Sequence, residues 1–145
     1  MEDSRIITFS IPGKPFGKQR PRVVHKNGFS KAYTPHETLL YENLVRQCYL
    51  EASDGYVFPP ESALKVKIIA RYEIPKSTPK SKSAEMAMGS IRPTKKPDVD
   101  NICKVICDSL NGIAYRDDAA VVTAMVSKYY THSMPRVEVT IEEAG

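Results

Sequence analysis

The sequence lacks the features that would place it in a membrane or outside the cell. No apolar run approaches the roughly 18 residues that a membrane-spanning helix needs. The first residues, Met1 to Arg5, also lack the basic start and the apolar stretch of a signal peptide. We therefore expect a cytoplasmic protein with no membrane partner.

Cysteine is scarce as well. Cys48, Cys103 and Cys107 are odd in number and do not have zinc-ribbon spacing. Cys103 and Cys107 lie four residues apart in an apolar helical pattern, which favours thiols that pack as small hydrophobic side chains. We therefore predict reduced, buried cysteines.

What is present is an ordinary globular composition. The chain has 145 residues, of which 41% are hydrophobic and 26% are charged, and this is the usual size and balance of one compact domain. We predict a single domain over residues 1–145. The patterns predict, in chain order, a strand at 5–11, a helix from 34 to 54, a strand at 64–72, a helix at 100–111 and two paired antiparallel strands at 119–130 and 136–141. The expected fold is α/β (α+β), with a mixed sheet of about four to five strands packed by two main helices.

The first helix is expected to begin with Thr34 as its N-cap and Pro35 as its first helical residue. Its apolar face is expected to carry residues that follow the helical period, namely Leu39, Leu40, Asn43, Leu44, Gln47, Cys48 and Leu50.

Two segments show no clear period. Residues 14–35 are expected to form a basic loop, in which 22–25 and 29–33 could pair as a short hairpin around Asn27-Gly28. Residues 75–94 are rich in Lys and Ser and are predicted to be the least structured part, a hinge or flap with at most a helical turn at 84–88.

Two basic segments that overlap these regions, residues 14–31 and 76–96, carry an uneven share of the charge. The net charge is +4, and both segments are almost free of acidic residues. They could be two solvated loops, or they could hold a polyanion around a central site. The candidate DNA-binding residues are Lys14, Lys18, Arg20, Arg22, Lys76, Lys80, Lys82, Lys95 and Lys96.

Beyond the second of these segments lies an acidic cluster. Asp98 and Asp100 can converge if Asp98 is extended and Asp100 is the N-cap of the helix, and Asp117-Asp118 follows the Gly112 turn. Helix capping and a surface turn are the alternatives. Converging carboxylates repel one another unless a cation lies between them. Oxygen ligands without His or Cys favour Mg²⁺, and Mn²⁺ is expected to substitute.

Polar residues inside the helix extend this site. Lys104 lies one turn beyond Asp100, where it could pair with a nearby carboxylate or hold a phosphate. Asn101 could start the helix or orient a metal-bound carboxylate. Asp108 is expected to be a partner of Lys104 rather than a metal ligand.

The combined motif resembles the RusA family of Holliday-junction resolvases, which phages and prophages often carry. The residues that carry this resemblance are Lys96-Pro97-Asp98-Val99-Asp100-Asn101-Ile102, Lys104, Asp108, Leu110-Asn111-Gly112 and Asp117-Asp118. Upstream matches are Pro12-Gly13-Lys14-Pro15, Lys18, Arg20-Pro21-Arg22, Tyr33-Thr34-Pro35 and Pro75-Lys76-Ser77.

The resemblance implies a small homodimer that cuts four-way DNA junctions by Mg²⁺-dependent phosphodiester hydrolysis in recombination and repair, without a small-molecule cofactor. By position, it makes Asp98, Asp100 and Asp118 metal ligands and Lys104 the essential helix lysine, with Asp117 as a supporting acidic neighbour. It also implies association with the nucleoid when DNA is bound. A broader nuclease acting on flaps and forks and a non-catalytic branched-DNA-binding protein are the two rivals.

Overall fold

The computed structural model describes residues 5–145. Residues 1–4, on which the signal-peptide prediction partly rests, lie outside the described part. The largest element is a mixed sheet with the order β1-β6-β4-β5. Its strands are β1 (Ile6–Pro12), β4 (Leu64–Glu73), β5 (Val121–Thr131) and β6 (Arg136–Glu143). These bounds agree with the strands predicted from the sequence to within a few residues.

The predicted pairing of the last two strands is wrong, because β4 lies between them. Strand β4 pairs antiparallel with β6 and parallel with β5. It is the most buried strand, since every second residue from Leu64 to Tyr72 is buried. In this central position the backbone N–H and C=O groups of β4 form hydrogen bonds with β5 on one side and β6 on the other. Such pairing is what a buried strand requires.

Two helices cover one face of the sheet: α1 (His36–Ser53) and α3 (Val99–Ser109). They form the core with the inward side chains of β1, β4 and β6. Phe9 of β1 meets Tyr49 of α1 edge to face, with 5.5 Å between ring centroids. The opposite face stays polar, with Thr8 and Thr140 hydrogen-bonded across β1 and β6. This arrangement confirms the predicted α+β fold with two main helices.

The face of α1 that is buried differs from the prediction. The buried residues are Thr38, Tyr41, Glu42, Val45, Tyr49 and Ser53. Leu39, Leu40 and Leu50 are instead 45%, 56% and 43% exposed. Both stripes have helical spacing, and the buried one includes Tyr41, which stacks on Phe16, and Tyr49, which packs on Phe9 of β1. The helix also begins one residue later than predicted, with Pro35 in the N-cap position.

Three further predictions need correction. The segment 75–94 contains a helix, α2 (Lys80–Met88), which buries Met86 and contacts β5. Helix α3 begins with Asp98, not Asp100, in the N-cap position and ends at Ser109. All three cysteines are free thiols, but only Cys107 is buried, whereas Cys48 and Cys103 are half-buried.

The possible hairpin in the first basic segment is present as a separate two-stranded ribbon, β2 (Arg22–Lys26) and β3 (Phe29–Tyr33). Asn27 and Gly28 have φ values of 53° and 78°, as a tight two-residue hairpin turn requires. Every helix within residues 5–145 is too short or too polar to cross a lipid bilayer.

Candidate active site

The start of α3 carries the first two candidate metal ligands. Asp98 is extended, with φ −74° and ψ 157°, and its carbonyl accepts the first helical hydrogen bond from the N–H of Ile102 at 3.0 Å. Asp100 lies in the first turn, and both carboxylates are exposed. Neighbouring segments fix this start: the hydroxyl of Tyr72 donates to the carbonyl of Pro97 at 3.0 Å, after a cis Lys96–Pro97 bond. Burial, and then the Asp98 carboxylate, raise the pKa of Tyr72 to about 12.

A compact turn returns the chain from the end of α3 to Asp118. The buried Tyr115 donates its hydroxyl to the carbonyl of Cys107 at 2.7 Å. Gly112, at φ +75°, donates its N–H to the carbonyl of Tyr115 at 2.8 Å. The side-chain oxygen of Asn111 accepts from the backbone N–H of Asp118 at 2.7 Å. These contacts hold Asp118, the first residue of a short 3-10 helix at Asp118–Ala120, beside α3.

Like charges surround the carboxylate of Asp118. Its pKa is raised above the ordinary value, first by desolvation and then by the carboxylates of Asp117 and Asp108. The pKa of Cys107 is also raised, first by its hydrogen bond with Cys103 and by burial, and further by Asp118. Asp118 therefore faces α3 near Cys107 and Asp108, in an environment that disfavours its own negative charge.

One lysine of the basic segment neutralises part of this charge. The Nζ atom of Lys18 lies 2.9 Å from Oε2 of Glu42 and 3.3 Å from Oδ2 of Asp108. The Glu42 side chain is 7% exposed and that of Lys18 is 20% exposed. Asp108 therefore pairs with Lys18. The partner predicted from the sequence, Lys104, is wrong. The predicted DNA contact of Lys18 stays a prediction, and the lysine has a structural role in any case.

The candidate ligands do not converge on one point in the described chain. Among residues 5–145, no three His, Cys, Asp or Glu side chains are grouped closely enough to hold a metal ion by themselves. Asp100 and Asp108 are separated by about 12 Å along the helix axis, and Asp118 lies toward the Asp108 end. The oxygen donors still suit Mg²⁺, because this ion is commonly held by one or two carboxylates, with water and substrate phosphate as its other ligands.

Lys104 occupies the interval between these two ends. Residues 100, 104 and 108 recur at four-residue spacing, so they lie on one face of α3. The Lys104 side chain is exposed on that face. Asn101 is half-buried, and its backbone carbonyl accepts from the N–H of Lys18 at 3.0 Å. The Asn101 backbone thus connects the first basic segment to the start of α3.

A cleft beside Asp98 collects lysines from three separate segments. Lys14, Lys76, Lys95 and Lys96 line it, together with Tyr72 and Pro97, and we call it the lysine-lined cleft. Its volume is about 510 Å³. Because Pro97 is directly followed by Asp98, the cleft ends at the start of α3, which we call the acidic helix because it carries Asp98, Asp100 and Asp108.

The other predicted DNA contacts lie away from the cleft lining. Arg20 and Arg22 are exposed at the base of the ribbon, and Lys80 and Lys82 are exposed on α2. The structure therefore brings four of the nine predicted basic residues together and leaves the others on neighbouring surfaces.

Two charged residues of this region escaped the sequence analysis. Glu42 interrupts the buried face of α1, and nothing in the local pattern distinguishes it from an exposed helix residue. Lys128 lies on a strand outside both basic segments, yet its Nζ atom donates to the carbonyl of Lys95 and lies 5.2 Å from the centroid of the Tyr72 ring. Only the pairing of β5 beside β4 brings Lys128 to Tyr72.

Comparison with known proteins supplies the family. The chain is 34% identical over 139 residues to the uncharacterized protein YqaN of Bacillus subtilis (strain 168). The aligned residues make up 96% of this chain and 97% of that protein. Residues 12–142 match the sequence profile described as Endodeoxyribonuclease RusA. That match includes every candidate site residue described above. The chain therefore belongs to the RusA family of endodeoxyribonucleases, which act on Holliday junctions.

Proposed function

We propose that this protein is a Mg²⁺-dependent, structure-selective endonuclease that resolves four-way DNA junctions by phosphodiester hydrolysis in recombination and repair. The observation that carries the proposal is the position of the lysine-lined cleft directly beside the acidic helix of a RusA-family chain. Four cations can hold a DNA backbone there while the carboxylates meet the phosphate that is cut.

The proposal assigns each side chain a distinct task. Asp98 and Asp100 at the start of α3 and Asp118 beyond its end would hold one or two Mg²⁺ or Mn²⁺ ions, completed by water and substrate phosphate, with Asp117 adding negative charge beside Asp118. When bound, such a metal ion activates a water molecule and polarises the phosphate. The exposed ammonium of Lys104 would stabilise negative charge that develops on the phosphate oxygens.

A homodimer would supply two such sites to a substrate with two-fold symmetry. The outer edge of β5 supports this part of the proposal. Residues 119–127 contain no charge, and Val122 and Met125 are 60% and 49% exposed. A long uncharged edge strand is prone to pair with another strand. We propose that two copies pair through β5.

Sedimentation analysis tests the interface. Thr123→Lys on β5 should convert a dimer to a monomer, whereas Ser10→Lys on the exposed face of β1 should not. If Leu40→Lys disrupts the dimer and Thr123→Lys does not, the exposed face of α1 is the interface and the β5 proposal is wrong.

Cleavage of labelled DNA tests the activity. With Mg²⁺, the wild type should cut a four-way junction faster than a fork, a flap or a duplex of the same sequence. Equal rates on junction and fork would favour the broader branched-DNA nuclease, and binding without cleavage under any divalent metal would refute an enzyme.

The metal assignment needs a matched pair of variants. Asp100→Asn should abolish cleavage, weaken Mn²⁺ binding in calorimetry and leave junction affinity nearly unchanged. Asp54→Asn makes the same chemical change at the left-handed end of α1, where φ is 54° and Asn is well tolerated. Cleavage that survives in Asp100→Asn would contradict the assignment.

A further inference from the structure

The ribbon formed by β2 and β3 stands apart from the core. All residues of both strands are exposed. Residues 22–33 contain no acidic side chain, and they include Arg22, Lys26 and Lys31. The contacts within residues 5–145 therefore give this surface no role in folding.

The two faces of the ribbon differ in chemistry. The cross-strand pairs Arg22–Tyr33, Val24–Lys31 and Lys26–Phe29 share one face, because side chains alternate along a strand. We call these six residues the aromatic-basic face. Five of them, all except Arg22, line a shallow cavity of about 540 Å³ with Asn27. The opposite face carries Val23 with Ala32 and His25 with Ser30, the last pair joined by a hydrogen bond of 2.7 Å.

Two aromatic rings are open to solvent on the aromatic-basic face. Phe29 is 78% exposed and Tyr33 is 44% exposed. A phenylalanine this exposed at the tip of a hairpin contributes little to folding. Cations beside it favour an anionic partner that also offers flat apolar surfaces, and nucleic-acid bases with their phosphates have both properties.

The base of the ribbon is fixed to the candidate active site. Gln19 donates to Glu37 at 3.1 Å and accepts from the hydroxyl of Thr38 at 3.0 Å, which ties it to the start of α1. Two residues earlier, Gly17 packs against the start of α3, where an added Cβ atom would lie 2.8 Å from Cβ of Pro97. Five strand residues span about 17 Å, so the tip of the ribbon lies about that distance from its base.

We propose that the aromatic-basic face recognises the branch point of the DNA, with Phe29 stacked on an unpaired or unstacked base and the three cations on adjacent phosphates. The inference rests on the proposed function, since it requires branched DNA at the neighbouring site. Bases inside a duplex are already stacked, and separating them costs free energy, whereas a branch point offers exposed base faces. The ribbon would therefore favour branched DNA over duplex. A second copy of this face is a poor partner, because its own cations would repel the first.

The test uses the Asp100→Asn background, so that DNA stays uncut, and a junction with 2-aminopurine at the branch. Phe29→Ala should lower junction affinity roughly 5- to 150-fold, the range for loss of one base–aromatic stack. It should also remove the change in 2-aminopurine fluorescence on binding and leave duplex affinity unchanged. Phe29→Tyr should retain both signals. Val23→Ala on the opposite face is the matched control, since Val23 is 55% exposed, and should behave like the background protein.

Retention of junction affinity and fluorescence change by Phe29→Ala would overturn the inference, as would an equal loss in Val23→Ala. A change in sedimentation caused by Phe29→Ala would also overturn it, because it would make the ribbon a protein contact. Cleavage by the otherwise unaltered protein is measured separately. If that protein cuts no DNA but the Phe29-dependent signals persist, the proposed nuclease activity fails, whereas the ribbon inference stands because it requires only the binding of branched DNA.

Discussion

The ion-pair network of Lys18 offers the sharpest quantitative test of the structure. Replacing Lys18 by Met keeps most of the aliphatic stem and removes the ammonium that lies 2.9 Å from Glu42 and 3.3 Å from Asp108. The Glu42 carboxylate, only 7% exposed, would then lose its cation in a largely apolar environment.

Removing one partner of a buried ion pair costs about 3–5 kcal/mol. Lys18 and Asp108 are 20% and 29% exposed, so water screens part of the interaction. We therefore expect Lys18→Met to lower the free energy of unfolding by about 2–3 kcal/mol. The thermal midpoint should fall by about 5–10 °C.

Urea unfolding followed by circular dichroism measures this effect. Lys14→Met is the matched control, because Lys14 is exposed in the lysine-lined cleft, and its free energy of unfolding should change by less than about 0.5 kcal/mol. The double variant Lys18→Met with Glu42→Met should recover part of the loss, since apolar residues replace both charges. Equal stability of the Lys18→Met and Lys14→Met variants would refute the reasoning.

Alkaline pH provides a second check on the same lysine. Burial lowers the pKa of Lys18, but Glu42 and Asp108 more than compensate and raise it above the ordinary 10.5. The stabilisation by its charge is therefore complete below the unfolded pKa and is lost as pH rises through the folded pKa. The stability gap between wild type and Lys18→Met should close above pH 10.5.

Two acidic residues should respond to substitution in opposite directions. Because desolvation and neighbouring carboxylates raise the pKa of Asp118, Asp118→Asn should increase the free energy of unfolding at pH 7 while abolishing cleavage. This gain should vanish as pH falls below the unfolded pKa, and a variant less stable than wild type at pH 7 would contradict it. Burial works against the charge of Glu138, but Arg71 and Arg136 hold its pKa below the ordinary value. Glu138→Gln should therefore lower the free energy of unfolding, measured in urea at pH 7, by about 1 kcal/mol. This difference from wild type should disappear as pH falls through the folded pKa of Glu138. A difference that persists in acid would show that the ion pairs are not its cause.

Local sequence patterns predicted most elements of the fold. Alternation in β1 and β4, the apolar stripe of α3 and the Asn27-Gly28 turn each depend on residues a few positions apart, so they could be read without tertiary information. The buried face of α1 could not. Leu40 and Tyr41 are adjacent and both apolar, and only tertiary packing, in which the Tyr41 ring stacks on Phe16 with 4.9 Å between centroids, decided that Tyr41 is the buried one.

The order of the strands also lay beyond the sequence pattern. Alternating Val and Tyr residues indicate a strand in β5 and β6 but carry no information about its neighbour. The chain between β4 and β5 contains α2 and α3, and this crossover lets β5 join the sheet parallel to β4. Strand β5 is therefore an edge strand of the sheet and does not pair with β6, as the sequence pattern had predicted it would.

By itself, the sequence determined the charged motif from Lys96 to Asp118 and hence the family, because the spacing of these residues is a local property. Tertiary structure alone decided which charges meet. It placed Lys18 between Glu42 and Asp108, and it gathered Lys14, Lys76 and Lys95 in one cleft. Charge interactions depend on distance and burial, and the folded chain sets both for residues that are far apart in sequence.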